Sequence, residues 1–142
     1  MSGPGRILAL DYGEKRIGLA LSDPLRIIAK PYKVILNAGY KTVLQELIAQ
    51  IREHCVQMLL VGMPYAVEGG YTPRTQATQD FLDRLASDLD IPVQAWDERY
   101  STDEANAELR KLGYDWKKNR EIEDAMAAAM ILKSYLETHA HA

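Results

Sequence analysis

Apolar residues recur along this chain with two periods, and the switches between them mark out the elements. Ile7 to Leu10 is a short apolar run that stops at Asp11. Tyr12 to Lys15 supply a glycine-containing turn before a second run, Ile17 to Leu21, so an antiparallel hairpin is predicted. Ile27 to Leu36 is rich in Ile, Val and Tyr but broken by Pro31, which suits an edge or irregular strand because proline donates nothing to a ladder. From Thr42 to His54 the spacing changes: Val43, Leu44, Leu47, Ile48 and Ile51 fall on one face of a helix. Gln57 to Val61 then read as a continuous apolar strand inside a covered sheet, ended by Gly62-Met63-Pro64.

Gly69-Gly70 marks a loop, and Thr72 followed by Pro73 is a helix start, with Phe81, Leu82, Leu85 and Leu89 as its apolar face. Ile91 to Trp96 predicts another inner strand, running into Asp97-Glu98. Ser101-Thr102-Asp103-Glu104 fits a capping box, so a helix is expected from there to about Leu112, before Gly113. Glu121 to Glu137 reads as an alanine-rich helix with Ile122, Ala125, Met126, Ala129 and Leu136 on one side. A hairpin followed by alternating strands and helices predicts an α/β fold: a mixed sheet, antiparallel at its N-terminal hairpin and parallel beyond it, covered by helices. Residues 1–142 are expected to form one domain, without repeats, linkers or low-complexity tracts.

Composition narrows the function. With 47% hydrophobic and 26% charged residues the chain has a core to bury. No apolar run approaches the roughly 20 residues of a bilayer span, and MSGPGR leads into a strand-like run rather than a signal segment. A cytoplasmic protein with no membrane partner is expected. Cys55 is the single cysteine, which excludes an intrachain disulfide; at the end of an amphipathic helix it is expected simply to pack. The formal charge of -3 argues against coating nucleic acid by bulk electrostatics. Acids reserved for metal lower that figure, however, and bound divalent ions restore positive potential locally. Basic residues also cluster from Arg110 to Arg120.

Three acids stand where the chain turns or packs tightly: Asp11, Glu98 and Asp124. Carboxylates beside apolar segments are costly to bury unless a cation compensates them, and three converging would suit a hard divalent metal. Each has a plainer reading: a hairpin-turn Asp capping local backbone, a strand-end ion pair with Arg99, and compensation of a helix dipole. Gly13 is expected to let a phosphate or ion approach Asp11 closely. Asp97 and Glu98 face opposite sides of a strand, so only one of them is expected in the pocket; Glu98 is taken as the ligand and Asp97 as its support. His54, His139 and His141 show no zinc spacing, and the last two fall in an expectedly frayed terminus.

Taken together, LALDYGEKRIGLALSD (Leu8 to Asp23), VGMP (Val61 to Pro64), DERYST (Asp97 to Thr102) and DAMAAAMIL (Asp124 to Leu132) resemble the YqgF/RuvX family over nearly the whole chain. The resemblance implies the ribonuclease H-like fold, with Asp11, Glu98 and Asp124 in the acidic positions of the family site. It also implies a nuclease, since family proteins are described as Holliday junction resolvases and as enzymes that mature the 5′ end of precursor 16S ribosomal RNA. The chain departs from the pattern at Ile122, where a basic residue is usual, and at Ala66 and Gln79, where relatives often carry Asn and Arg.

Hydrolysis of a phosphodiester by such a site is expected to use two Mg²⁺ or Mn²⁺ ions roughly 4 Å apart, with Asp11 bridging and Glu98 and Asp124 each holding one. Lys15, Arg16, Arg99, Lys117, Lys118 and Arg120 are the expected contacts to nucleic acid, and Tyr114 and Trp116 could stack unpaired bases. The expected partner is precursor 16S rRNA or a ribosomal precursor particle, alternatively junction DNA, with the chain a monomer or weak homodimer. Two other readings stay open: an actin-like nucleotide-binding protein, from the strand, Asp-x-Gly, strand opening, and a non-catalytic RNA-binding module.

Overall fold

Strands β1 (Arg6–Asp11), β2 (Arg16–Ser22) and β3 (Ala29–Leu36) precede helix α1 (Tyr40–His54); β4 (Val56–Met63), α2 (Pro73–Asp88) and β5 (Val93–Asp97) follow, then a 3-10 turn (Glu98–Tyr100) and helix α3 (Arg120–His139). This computed structural model describes residues 3–100, residue 111 and residues 120–139. Apart from Lys111, the helix expected from Ser101 to Leu112 lies outside the described residues, as do Tyr114, Trp116, Lys117, Lys118 and His141.

The five strands form one mixed sheet in the order β3-β2-β1-β4-β5. The β2 strand is antiparallel to both neighbours, while β1, β4 and β5 run parallel and end at one edge. Alternation then sorts the side chains. Ile7 and Ala9 of β1, Ala20 of β2 and Met58 and Leu60 of β4 pack under α3, against Met126, Ala129 and Leu132. Leu8, Leu10, Leu19 and Leu59 point the other way, onto Val43 and Leu47 of α1 and Phe81 and Leu85 of α2. Helices therefore cover both faces, as the near-continuous apolar runs of β1 and β4 require. Among the described residues no helix is long and apolar enough to cross a membrane.

Proline and threonine act where the sequence places them. Pro31 lies in edge strand β3, opposite Ala20, beside a register shift in β2. The Thr72 hydroxyl accepts from the Thr75 N–H, the Thr75 hydroxyl accepts from the Thr72 N–H, and Pro73 opens α2.

Four expectations are corrected. The β5 strand is an edge of the described sheet, not an inner strand: Val93 packs toward α2 and Trp96 toward α3, while Gln94 and Ala95 between them are exposed. Gly62 lies within β4, which continues to Met63. Cys55 is exposed rather than packed, because it ends α1 in the left-handed conformation (φ 53°) and turns its side chain out of the helix face. His139 is helical and ordered by contact: its ring stacks on Tyr135 at 4.0 Å, and Nδ1 lies 2.8 Å from the Tyr135 carbonyl.

Candidate active site

Asp11 is the last residue of β1 and shares the α3 side of the sheet with Ile7 and Ala9. The positions beside it on that face are both glycine. Gly18 is its register partner on β2, and Gly62 follows Val61, the partner of Leu10 on β4. A Cβ at Gly18 would fall on the Asp124 carbonyl, so glycine lets α3 descend onto the sheet. A Cβ at Gly62 would strike the Ile131 side chain and come within 3.0 Å of the Glu98 Cγ and Oε1 atoms. Two missing side chains thus make room for two carboxylate-bearing segments, one on each side of Asp11.

Glu98 is brought back over β4 by the 3-10 turn, and that turn is tied down. The Trp96 indole N–H donates to the Ser134 hydroxyl at 3.0 Å, and this hydroxyl donates to the Tyr100 carbonyl at 3.0 Å. The turn is therefore anchored to α3 on both sides of Glu98. Asp97 has the other role: its carboxylate takes the Arg99 guanidinium at 2.6 Å and accepts from the Arg99 backbone N–H at 2.9 Å.

Charge is crowded at Asp11. Its side chain is only 19% exposed, and burial, the charge and hydrogen bond of Glu98 and the charge of Asp124 together push its carboxyl up to about 7; Arg74 opposes them. Two carboxylates sharing a hydrogen bond in a buried corner are a donor set whose repulsion a hard divalent cation relieves. Asp124 stands apart from that pair. Its Oδ2 takes the Arg16 Nε–H at 2.7 Å. Among the described residues no three acid, histidine or cysteine side chains stand close enough to hold a metal ion as they are. Asp11 and Glu98 therefore stand together, while Asp124 is held by Arg16.

Two of the cations expected to meet nucleic acid are paired with the chain's own acids. Arg16 is spent on Asp124, and Arg99 clips Asp97 to the loop after β4, donating also to the Val67 carbonyl at 3.1 Å. Lys15 is exposed in the hairpin turn, Lys111 is exposed, and the side chain of Arg120 lies outside the described residues. Gly13 serves the hairpin itself, since a Cβ there would collide with the Arg16 carbonyl; it is not a left-handed seat for a ligand. Gln79 bonds the Tyr71 hydroxyl and Asp83.

Sequence reasoning passed over Arg74, whose guanidinium lies 3.8 Å from Asp11. A signal was present. The first turn of a helix disfavours a cation, and Arg74 follows Pro73 directly at the start of α2.

The family profile described as "RuvX: Holliday junction resolvase" matches residues 5–138. Relatives named "Putative pre-16S rRNA nuclease" include one from Halothermothrix orenii, 40% identical over 92% of this chain and 94% of its own, and one from Symbiobacterium thermophilum, 42% identical over 95% and 94%. Among solved structures, T. thermophilus RuvC in complex with a Holliday junction substrate is similar with a TM-score of 0.62 at 14% identity, covering 94% of this chain and 96% of that one. The yeast mitochondrial Holliday junction resolvase Ydc2 is similar with a TM-score of 0.60 at 12% identity, covering 97% and 80%. At such identities the likeness speaks for the fold, which is ribonuclease H-like.

Proposed function

The chain belongs to the RuvX family, and on that premise we propose that it is a metal-dependent nuclease that hydrolyses phosphodiester bonds to mature the 5′ end of precursor 16S rRNA in the cytoplasm. The observation that carries this reading is the contact between Asp11 and Glu98 at the carboxyl end of parallel strands, in a corner where burial and mutual charge raise the proton affinity of Asp11. Open α/β sheets place their ligands at such an edge, where neighbouring strands send their connections in opposite directions.

Asp11 and Glu98 would hold Mg²⁺ or Mn²⁺ between them, and Asp124, once off Arg16, would complete a site for two ions. Bound there, such ions activate water and neutralise charge on the scissile phosphate and leaving oxygen. The protein's own work is orientation. Gly18 and Gly62 set the spacing of the carboxylate-bearing segments, and the Trp96–Ser134–Tyr100 chain fixes the turn that carries Glu98. Arg16, released from Asp124, becomes a cation for the substrate's phosphates.

A four-way DNA junction is the second substrate to be tested, favoured by the fold shared with T. thermophilus RuvC. The chain is read as a monomer or weak homodimer, and symmetric cutting of a junction would need two copies. The deciding experiment offers purified protein precursor 16S RNA and a junction, each with Mg²⁺ and with Mn²⁺, beside Asp11→Asn. The parent is expected to cut the RNA, and Asp11→Asn to lose on the order of 10³-fold in rate while keeping its fold. An Asp11→Asn protein as active as its parent would overturn the mechanism. RNA binding that persists in chelator, with no cleavage in either metal, would instead mark a non-catalytic binding module.

A further inference from the structure

Between the hairpin turn at Tyr12, Gly13 and Glu14 and the first turn of α2 at Thr72, Pro73 and Arg74 lies a cavity of about 450 Å³, one of whose lining residues, Arg74, stands 3.8 Å from Asp11. Its volume falls within the roughly 300–1,000 Å³ of small-ligand sites. Its two lips carry opposite charge: Glu14, exposed on the hairpin, and Arg74, exposed on the helix.

Arg74 is unlike the other arginines near the acids. Arg16 and Arg99 hold their carboxylates at 2.7 and 2.6 Å. Arg74 stands off Asp11 at 3.8 Å, its side chain 62% exposed, and its guanidinium makes no hydrogen bond to another described residue. Its backbone is nonetheless held firmly. The Thr72–Thr75 capping box fixes where α2 begins, and the Thr75 hydroxyl donates to the Pro64 carbonyl at 2.6 Å, tying that turn to the end of β4. A cation in a first turn works against the helix dipole, so Arg74 costs α2 stability. A guanidinium with open donors on a fixed base, beside an acidic site, is suited to a bidentate contact with a phosphate.

Building on the nuclease reading, we propose that Arg74 binds a phosphate adjacent to the scissile one, and that the cavity beneath it seats the nucleotide attached to that phosphate. Glu14 on the opposite lip repels a phosphate and so sets the direction in which the strand lies, backbone toward Arg74 and sugar edge toward the hairpin. Arg74 is in this sense a substrate-positioning residue, acting on binding rather than on the reacting atoms.

The test compares the parent with Arg74→Met, which keeps the aliphatic bulk at the cavity lip, and Arg74→Lys, which keeps the charge. Cleavage of precursor 16S RNA and of a four-way DNA junction is followed at several monovalent salt concentrations. Arg74→Met is expected to raise KM about tenfold with kcat within about twofold. It should also flatten the dependence of log KM on log salt by about 0.7 for single-stranded RNA or about 0.9 for duplex, the loss of one phosphate contact. Arg74→Lys should recover the salt slope and part of KM. If Arg74→Met leaves KM and the salt slope at the parent values while the parent cuts normally, the proposal falls and the nuclease reading stands. If kcat alone falls, with the salt slope unchanged, Arg74 serves Asp11 rather than the substrate, and the proposal is again wrong. A parent that cuts neither substrate overturns both.

Discussion

At the scale of single residues, the decisive group is Asp11, because on the proposed mechanism its proton and a cation would compete for the same oxygens. Its carboxyl is raised from an ordinary 3.8 to about 7, chiefly by burial and then by Glu98. Between those values the folded chain keeps a proton that the unfolded chain has already released, so stability falls as pH rises through the window and the full loss is present above about pH 7. Replacing Asp11 by Asn removes that term. In chelator at pH 8 the Asp11→Asn protein is expected to melt several degrees above its parent, and near pH 4 the two should converge; differential scanning fluorimetry across the range reads this directly. Adding Mn²⁺ at pH 8 should reverse the order, because a divalent ion binding the parent's carboxylates stabilises only the protein that has them. A parent that gains stability relative to Asp11→Asn between pH 5 and pH 8 in chelator would contradict the raised proton affinity.

At the scale of elements, the site depends on how closely α3 and the turn after β5 approach the sheet. Gly18 is the sharper case, since the atom that a Cβ would meet belongs to the Asp124 backbone and cannot rotate away. Gly18→Ala must push the N-terminal part of α3 off β2, and overpacking of this kind costs about 1–3 kcal/mol. Cleavage should fall with it, because Asp124 moves with its carbonyl. Gly70→Ala is the matched control: its nearest atom is the end of a flexible Glu68 side chain at 3.6 Å, and its melting point should stay near the parent's. Urea unfolding of the two variants separates the cases. Elements of this kind were largely legible in advance. The β1–β2 hairpin, the Pro31 edge strand and the Thr72-Pro73 helix start follow from local chemistry that short windows of sequence contain. What the windows could not contain was partnership across the fold. Arg16 and Asp124 are 108 positions apart, and nothing near either one reveals that they pair. Nor does Gly62 declare, from its own neighbours, that its missing side chain is room for Glu98. The edge position of β5 was hidden for a related reason: Val93 and Trp96 supply apolar character by packing on different helices, which in one dimension resembles an inner strand.

For the whole molecule, the question is how an acidic chain holds a polyanion. Seventeen Lys and Arg face twenty Asp and Glu, a formal charge of -3. Around the described site the balance is less favourable still, because Arg16 and Arg99 are each paired with a carboxylate of the chain itself. Among the described residues, a nucleic-acid strand approaching the carboxyl edge of β1 and β4 therefore meets Asp11 and Glu98 with only Lys15, exposed in the hairpin turn, and Arg74, loosely paired with Asp11 at 3.8 Å, as nearby cations. On the proposed metal-dependent mechanism, bound divalent ions would invert that local field and so serve binding as well as chemistry. At constant ionic strength, the affinity for precursor 16S RNA is expected to rise about tenfold or more when chelator is replaced by Ca²⁺, read by fluorescence anisotropy. The Asp11→Asn protein supplies the internal check. In chelator, Asp11→Asn has one fewer carboxylate to repel phosphate at high pH and should bind slightly better than the parent; in Ca²⁺ it has lost a ligand and should bind worse. An affinity indifferent to divalent ions in the parent would place the binding energy elsewhere on the chain, and the acidic edge would then be no part of the nucleic-acid interface.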